Sequence, residues 1–294
     1  MNVVRAPSST FPWWVFVLAV LVLVGVGYVG VVRPLNRARA AGRSVSYRRR
    51  FDRSAIRVPA AVGAGLLLAL VLIAVLAPTG STPAVDTAVH DAFVNLRTGT
   101  LTTVALVLTN VGSPFGSATL LLLLAAYLAR RTASWTPPLI LLVGPLVTGA
   151  INTAIKYSFR RERPSLTEQL VLTTDPSFPS GHVAWAVSTW GCIAVAMVWV
   201  YPDIRRSLLV PLCAIVPVLV ALTRLYLGVH YLTDVTAAAC LGLAATAFTV
   251  AGFRWAADRR ARLGGPGDGP DDRGDGGGDG GPGGGIQSPA TGHH

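Results

Sequence analysis

The chain has 294 residues, of which 52% are hydrophobic and only 13% are charged, and its mean hydropathy is +0.54. These values exclude a soluble globular enzyme of this length and indicate a polytopic membrane protein. The formal net charge of +11 does not indicate a nucleic-acid partner, because no aromatic interleaving or base-reading module accompanies the arginines.

Apolar runs long enough to cross a bilayer core, about 20 residues each, predict seven transmembrane helices in an all-α bundle. The third run is too long for one straight helix and contains Gly112, Pro114 and Gly116. We therefore expect a shallow outer helix followed by a kinked span that begins near Pro114. The runs lie at residues 13–32, 58–77, 101–129, 138–155, 179–201, 208–226 and 232–253.

A shorter segment, residues 86–97, precedes the third run and is modestly amphipathic. Val85, Val89, Phe93 and Leu96 recur there at helical spacing, which predicts an outer helix lying at the membrane interface. The histidine of this segment, His90, is interpreted as a surface residue and not as a ligand.

The chain divides into three predicted regions. Residues 1–57 hold the first span and an arginine-rich loop, residues 58–255 form a six-span core, and residues 256–294 form a tail. The first run is too long for a signal-peptide core, so we expect it to be retained. Fourteen glycines in the 31 residues from Gly264 onward predict disorder, because such a segment cannot bury enough apolar surface to become ordered.

The distribution of arginines predicts the orientation in the membrane. Nine arginines lie between residues 33 and 57, in a loop short enough for the positive-inside rule to assign it to the cytoplasm. Residues 130–131, 205–206 and 254–262 then fall on the same side, and residues 156–163, 179–182 and 230–234 fall on the outer side of the plasma membrane. Arginines in that outer loop break the rule, so we expect them to have another purpose.

The chain has one lysine, Lys156, which begins a Lys-x6-Arg-Pro pattern ending at Arg163 and Pro164. Positions 156, 160 and 163 fall on one face of a helix, which would stack one lysine and two arginines. Such a face suits phosphate, because arginine binds its oxygens in a bidentate manner and lysine supplies a point charge. A basic collar that snorkels at the membrane edge would give the same pattern.

The second cluster, Pro179-Ser180-Gly181-His182, opens the fifth apolar run. Proline suits the first turn of a helix. Ser180 and Gly181 are expected to leave backbone N–H groups free at the positive end of the helix dipole, where an anion can bind. The alternative is an ordinary helix start with a histidine at the interface.

The third cluster is Arg224-x5-His230-x3-Asp234. A carboxylate four residues after a histidine is near enough to accept the Nδ1 proton, which leaves Nε2 free to attack. Arg224 lies at the outer end of the sixth run and can meet the same anion. A buried histidine satisfied by a neighbouring aspartate is the alternative.

Together these clusters resemble the signatures of the type 2 phosphatidic acid phosphatase superfamily of integral-membrane lipid phosphatases. Those signatures read Lys-x6-Arg-Pro, Pro-Ser-Gly-His and Ser-Arg-x5-His-x3-Asp, and all three occur here in order with the same spacings. The resemblance covers roughly residues 58–253. Thr223 stands where the family usually has serine, and it keeps the hydroxyl.

The resemblance implies that His230 attacks phosphorus to give a phosphohistidine, that Asp234 orients it, and that His182 protonates the leaving oxygen and later activates water. It implies no metal and no cofactor, because cationic side chains stabilise the transferring group. Arg160 and Arg161 are not signature positions, and we expect them to tune substrate attraction. The phosphate-binding residues that the resemblance implies are Lys156, Arg163, Ser180, Gly181 and Arg224.

The motifs do not distinguish a polyprenyl diphosphate, phosphatidate or phosphatidylglycerol phosphate as the lipid phosphate substrate. A site at the outer face suits recycling of a polyprenyl diphosphate carrier. A vanadate-dependent haloperoxidase uses a related pocket, but those soluble enzymes lack seven apolar spans. A transporter or a phosphate-binding scaffold would also keep charges near the membrane, yet it would not need a His-x3-Asp pair beside a Ser-Gly-His helix start.

Overall fold

The computed structural model describes residues 51–77 and 83–263, together with the isolated positions 33, 37 and 41. The predicted first span at 13–32, most of the arginine-rich loop and the tail from 264 onward lie outside the described residues. The described part is all-α. Its helices are α1 (Arg53–Leu76), α2 (Ala84–Asn95), α3 (Gly99–Val111), α4 (Pro114–Thr132), α5 (Thr136–Phe159), α6 (Gly181–Val200), α7 (Arg206–Tyr226) and α8 (Leu232–Leu263).

Five of these helices, α1, α5, α6, α7 and α8, are long and apolar enough to cross a membrane. Helices α2 and α3 pass the same test only as a pair and are bent by 118° to one another. Within the described residues α4 is not in this group, because Arg130 and Arg131 in its last turn lower its hydropathy. The polytopic all-α bundle expected from the sequence is thus confirmed, with five or six candidate spans in this part of the chain.

The long third run divides where its glycine and proline predict. Helix α3 ends at Val111 with Gly112 as its C-cap, and α4 begins at Pro114 with Ser113 as its N-cap. Ser113 Oγ accepts a hydrogen bond from Gly116 N at 3.1 Å. Proline is tolerated there because the first residues of a helix have no intrahelical acceptor for their N–H groups. The apolar run therefore becomes two helices.

Helix α8 is the centre of the bundle and packs against α1, α5 and α6. Its contact with α6 is backbone-close, because a Cβ at Gly242 would lie 2.8 Å from Ala184 O. The helix runs to Leu263, ten residues past the predicted end of the last span. Asp258 stabilises this extension, since it pairs with Arg262 Nε at 2.7 Å and accepts a hydrogen bond from Phe51 N at 3.2 Å.

The two ends of the bundle differ in composition. The carboxyl ends of α5 and α7 and the amino ends of α6 and α8 meet at one end, which carries all three sequence clusters. The opposite end carries arginines that belong to the starts or ends of α1, α4, α7 and α8, namely Arg53, Arg130, Arg131, Arg205, Arg206 and Arg254. Between the ends, large apolar side chains such as Leu68 and Leu72 are exposed on the outside of the bundle, where lipid would cover them.

Candidate active site

His230 and Asp234 are adjacent and buried, as their spacing predicts. His230 Nδ1 lies 3.4 Å from Asp234 Oδ2, and the two residues are 2% and 0% exposed. The same oxygen accepts hydrogen bonds from Tyr231 N at 2.9 Å and from Ser177 Oγ. Asp234 thus has fixed partners on the side that faces the imidazole.

A glycine turn delivers His230 to this place. Gly228 has φ of +68°, a left-handed conformation that glycine adopts without strain. A Cβ at this position would also collide with Arg97 Nη2 and would lie 2.8 Å from Glu168 O. Glycine is therefore required twice, once by the backbone conformation and once by the close neighbours.

The free nitrogen of His230 faces cations. Nε2 lies 3.2 Å from Arg163 Nη1. Burial lowers the pKa of His230 well below its usual range, and the positive charges of Arg163, Arg224 and Lys156 lower it further. The imidazole is therefore neutral, and with Nδ1 directed at a carboxylate the lone pair belongs to Nε2.

The predicted single helical face of positions 156, 160 and 163 is wrong. Helix α5 ends at Phe159, and its C-cap Arg160 takes a left-handed conformation with φ of 48°. Lys156 and Arg163 nevertheless meet, through the loop, at the carboxylate of Asp175. Lys156 Nζ lies 2.8 Å from Asp175 Oδ2, and Arg163 Nη2 lies 2.9 Å from Oδ1.

Backbone carbonyls complete the partners of these two cations. Arg163 Nε donates to Asp175 O at 2.6 Å, and Nη1 donates to Val229 O at 2.5 Å. Lys156 Nζ donates to Pro176 O. Burial raises the pKa of Asp175, but the hydrogen bonds and charges of Lys156 and Arg163 outweigh it, so the net shift is downward and the carboxylate is ionised.

The remaining predicted phosphate ligands have unmet hydrogen-bonding capacity. Ser180 is fully buried, and its Oγ has no hydrogen-bond partner among the described residues. Arg224 Nη1 donates to Thr109 Oγ1 at 2.9 Å, but the buried Arg224 Nε also lacks a partner in the described part of the chain. His182, in the first turn of α6, makes no hydrogen bond with a described residue.

The expectation of two free backbone N–H groups at the start of α6 holds only in part. Ser180 N donates to Asp234 O at 3.2 Å, so that group is already used to join α6 to α8. Gly181 is the first residue of the helix, and the first N–H groups of a helix have no intrahelical acceptor.

Arg161 and His90 are both buried against acidic residues. Arg161 was expected to tune substrate attraction, and in the structure it is 4% exposed and pairs with Asp86 and Asp234. His90 was expected at the surface, but it is buried and its Nε2 lies 3.1 Å from Glu168 Oε2. Both side chains turn inward because acidic partners distant in sequence lie there.

Sequence reasoning missed the acidic residues of this region. Asp86 is fully buried in α2, and Asp175 lies between the two signature cations. A signal existed for Asp86, because an acid retained beside apolar spans usually has a partner. Arg160 is exposed and lines a crevice of about 530 Å³ along the 160–176 loop, which also reaches Arg163 and Asp175.

The described residues include no group of three or more His, Cys, Asp or Glu side chains that could hold a metal ion. Independence from metals stays a prediction.

Known proteins are similar in sequence to the part of the chain that contains the site. A sequence model of the PAP2 superfamily matches residues 137–258. Phosphatidylglycerophosphatase B of Bacillus subtilis is 30% identical over 190 residues, which cover 64% of this chain and 92% of that protein. Decaprenylphosphoryl-5-phosphoribose phosphatase of Mycobacterium tuberculosis is 36% identical over 190 residues, which cover 63% of this chain and 98% of that protein.

The fold is shared with a solved structure as well. The crystal structure of a transmembrane PAP2 type phosphatidylglycerolphosphate phosphatase from Bacillus subtilis matches with a TM-score of 0.61 and 28% identity, covering 66% of this chain and 96% of that one. The residues matched by the superfamily include all three sequence clusters, whereas Asp86 and Thr109 lie before them.

Proposed function

Because the chain belongs to the PAP2 superfamily and is a membrane lipid phosphatase, we propose that it hydrolyses its substrate through a phosphohistidine on His230. One observation carries this proposal: Nδ1 of His230 faces Asp234 at 3.4 Å while Nε2 faces the guanidinium of Arg163 at 3.2 Å. A neutral imidazole so oriented presents its lone pair where the cations would hold a phosphoryl group.

In the first step, His230 Nε2 forms a bond to phosphorus, and the bond from phosphorus to the leaving oxygen breaks. His182 gives its proton to that oxygen, so the lipid product leaves as a neutral hydroxyl or a protonated phosphate. The phosphorylated imidazole carries a positive charge while Nδ1 keeps its proton. Asp234 stabilises that charge.

In the second step, His182 takes a proton from water, and the water oxygen attacks phosphorus. The bond to His230 breaks and inorganic phosphate leaves, which restores the neutral imidazole. Charge on the phosphoryl oxygens is stabilised electrostatically in both steps. The residues proposed for this are Lys156, Arg163, Ser180, Gly181 and Arg224.

We assign the site to the extracytoplasmic face of the plasma membrane. The arginines at the far end of the bundle support this orientation, because cytoplasmic loops are enriched in Lys and Arg. We also propose that the chain consists of an N-terminal span with its loop, a six-span core at residues 58–255 and a tail.

The substrate proposed is a lipid that carries a phosphomonoester or a diphosphate. The names of the two relatives supply candidates, phosphatidylglycerol phosphate and decaprenylphosphoryl-5-phosphoribose. Polyprenyl diphosphate and phosphatidate complete the set.

The test is phosphate release by purified wild type and His230→Ala in detergent with EDTA, across these four lipids. Release by wild type alone supports a metal-independent lipid phosphatase, and the ranking of kcat/KM identifies the substrate. Turnover by His230→Ala equal to that of His182→Ala would contradict the assignment of His230 as the nucleophile. No release of phosphate from any of the lipids by folded protein would instead support a transport or binding role.

A further inference from the structure

Four buried charged or titratable side chains form a line that ends at His230. Asp86 Oδ2 lies 2.9 Å from Arg161 Nη2, Arg161 Nη1 lies 2.7 Å from Asp234 Oδ1, and Asp234 Oδ2 lies 3.4 Å from His230 Nδ1. Their exposed fractions are 0%, 4%, 0% and 2% in that order. One guanidinium therefore bridges two carboxylates, and one of those carboxylates faces the imidazole.

The far end of this line is anchored to the start of α8. Asp86 Oδ1 accepts a hydrogen bond from Thr233 N at 2.9 Å, and Asp86 Oδ2 accepts one from Thr233 Oγ1 at 2.6 Å. Arg161 Nη1 also lies 2.6 Å from Thr233 Oγ1, and its guanidinium lies 4.7 Å from the centre of the Tyr231 ring. Asp86, Arg161 and Thr233 thus form a closed polar ring directly beside Asp234.

We infer that Arg161, held in place by Asp86, is a positioning residue for the His230–Asp234 pair. The inference rests on the proposed role of His230 as nucleophile. Asp234 gives one oxygen to Arg161 and the other to His230, so the guanidinium fixes the rotation of the carboxylate. Its charge also stabilises the carboxylate as an anion, which the cationic phosphohistidine requires.

Arg161 differs in this respect from the cations proposed to bind phosphate. Its Nη1 and Nη2 groups are used by Asp86, Thr233 and Asp234, and it contacts the Asp234 oxygen that does not face His230. It acts on the reacting histidine only through Asp234. Loss of Arg161 should therefore lower kcat, whereas loss of a phosphate ligand should also weaken phosphate binding.

Buried ion pairs are weak evidence for stability, because desolvation offsets much of their attraction. A purely structural role would lower the melting temperature and leave kcat of the folded fraction unchanged. Arg254 provides the matched comparison. Its Nη1 donates to Ala55 O at 2.9 Å at the opposite end of the bundle.

The experiment measures kcat, KM and the inhibition constant of inorganic phosphate for wild type, Arg161→Lys, Asp86→Asn and Arg254→Ala in detergent. Lysine keeps the charge of Arg161 but cannot reach both carboxylates with one planar fork. For Arg161→Lys and Asp86→Asn we expect kcat to fall roughly 10- to 100-fold, by analogy with the loss of a partner that orients a metal-ligating histidine. The inhibition constant of phosphate should stay within about twofold on the same reasoning, and Arg254→Ala should keep the kcat of wild type.

A fourth variant, Arg161→Ala, is assayed with and without millimolar guanidinium ion, which should restore part of kcat by filling the site of the lost group. Wild-type kcat in both Arg161→Lys and Asp86→Asn would overturn the inference. An inhibition constant that rises as much as kcat falls would also overturn it, since Arg161 would then be a phosphate ligand. These outcomes differ from failure of the proposed function, in which His230→Ala keeps its turnover or wild type has none.

Discussion

The cationic site has two halves that differ in how their donors are satisfied. In the first half, Lys156 and Arg163 are paired with the Asp175 carboxylate and with backbone carbonyls. In the second half, Ser180 Oγ and Arg224 Nε are buried without partners among the described residues. Each half contributes one histidine, since His230 lies against Arg163 and His182 follows Ser180 in the chain.

This difference indicates two ways of binding one phosphoryl group. A buried donor without a partner costs about 1 to 3 kcal/mol, so an anion that reaches the second half recovers energy already lost in the folded protein. An anion that reaches the first half must replace Asp175, and exchange of one anion for another gives a smaller gain. The second half should therefore supply most of the affinity for the phosphoryl group. Binding by the first half should depend on the charge of residue 175.

The largest predicted effect separates the two histidines. His230→Ala should abolish turnover, because among the described residues no other side chain of the first half is positioned to attack phosphorus. His182→Ala should lower kcat by roughly 10² to 10⁴, the usual contribution of a general acid. Single-turnover phosphate release measures both.

Trapping after a brief reaction with radiolabelled substrate provides the control. Labelled protein should form in His182→Ala and not in His230→Ala. Label retained by His230→Ala would assign the nucleophile to another residue and reverse the roles of the two halves.

Arg224→Gln should have the next largest effect, because it removes the positive charge that Arg224 contributes to the second half. We expect kcat/KM to fall by about 10² to 10³, as when one donor to a developing anion is lost. Thr109→Val is the matched control, since it removes only the hydroxyl that holds Arg224 Nη1. It should cost about tenfold or less, on the scale of one neutral hydrogen bond, and an equal loss in both variants would show that orientation of Arg224 matters more than its charge.

Asp175→Asn should strengthen phosphate binding, in contrast to the other substitutions. The amide keeps the shape of the side chain but removes the negative charge that competes for Lys156 and Arg163. We expect the inhibition constant of phosphate to fall severalfold, corresponding to about 1 kcal/mol. Glu162→Gln, an acid in the same loop, tests whether any nearby negative charge would do the same, and tighter binding in both variants would contradict a specific role for Asp175.

The smallest predicted effect concerns pH and stability. The folded pKa of His230 is lowered by burial and by neighbouring cations, so the unfolded chain binds a proton that the folded protein does not. Stability from this source is present above the unfolded pKa, near 6.5, and is lost as the pH falls below it.

Thermal unfolding in detergent at pH 7 and pH 5 should therefore show a larger loss of stability for wild type than for His230→Gln. Because its pKa is lowered, His230 stays neutral as the pH falls below 6.5. Protonation of His230 should therefore not cause kcat/KM to fall near pH 6.5. Equal pH dependence of unfolding in the two proteins would indicate that His230 is protonated in the folded state.

The part of the fold that could be predicted from the sequence depends on hydrophobic runs and on residues that begin or end helices. Twenty-residue apolar runs must be helical in a bilayer, because every backbone polar group needs an internal partner there. The helices α1, α5, α6, α7 and α8 accordingly match predicted runs, and the break before Pro114 follows from the chemistry of proline. The end of α5 was missed, since Arg160 leaves the helix through a left-handed C-cap that arginine rarely adopts.

The sequence by itself determined the membrane bundle, the three clusters and the His230–Asp234 contact, because each depends on composition or on spacing within a few residues. Only the tertiary structure decided which charges meet. Asp86 and Arg161 are separated by 75 positions, and Thr109 and Arg224 by 115. Such contacts depend on how α2, α3, α7 and α8 pack together, because a buried charge is stable only beside a partner that packing brings to it, and spacing along the chain carries no information about that partner.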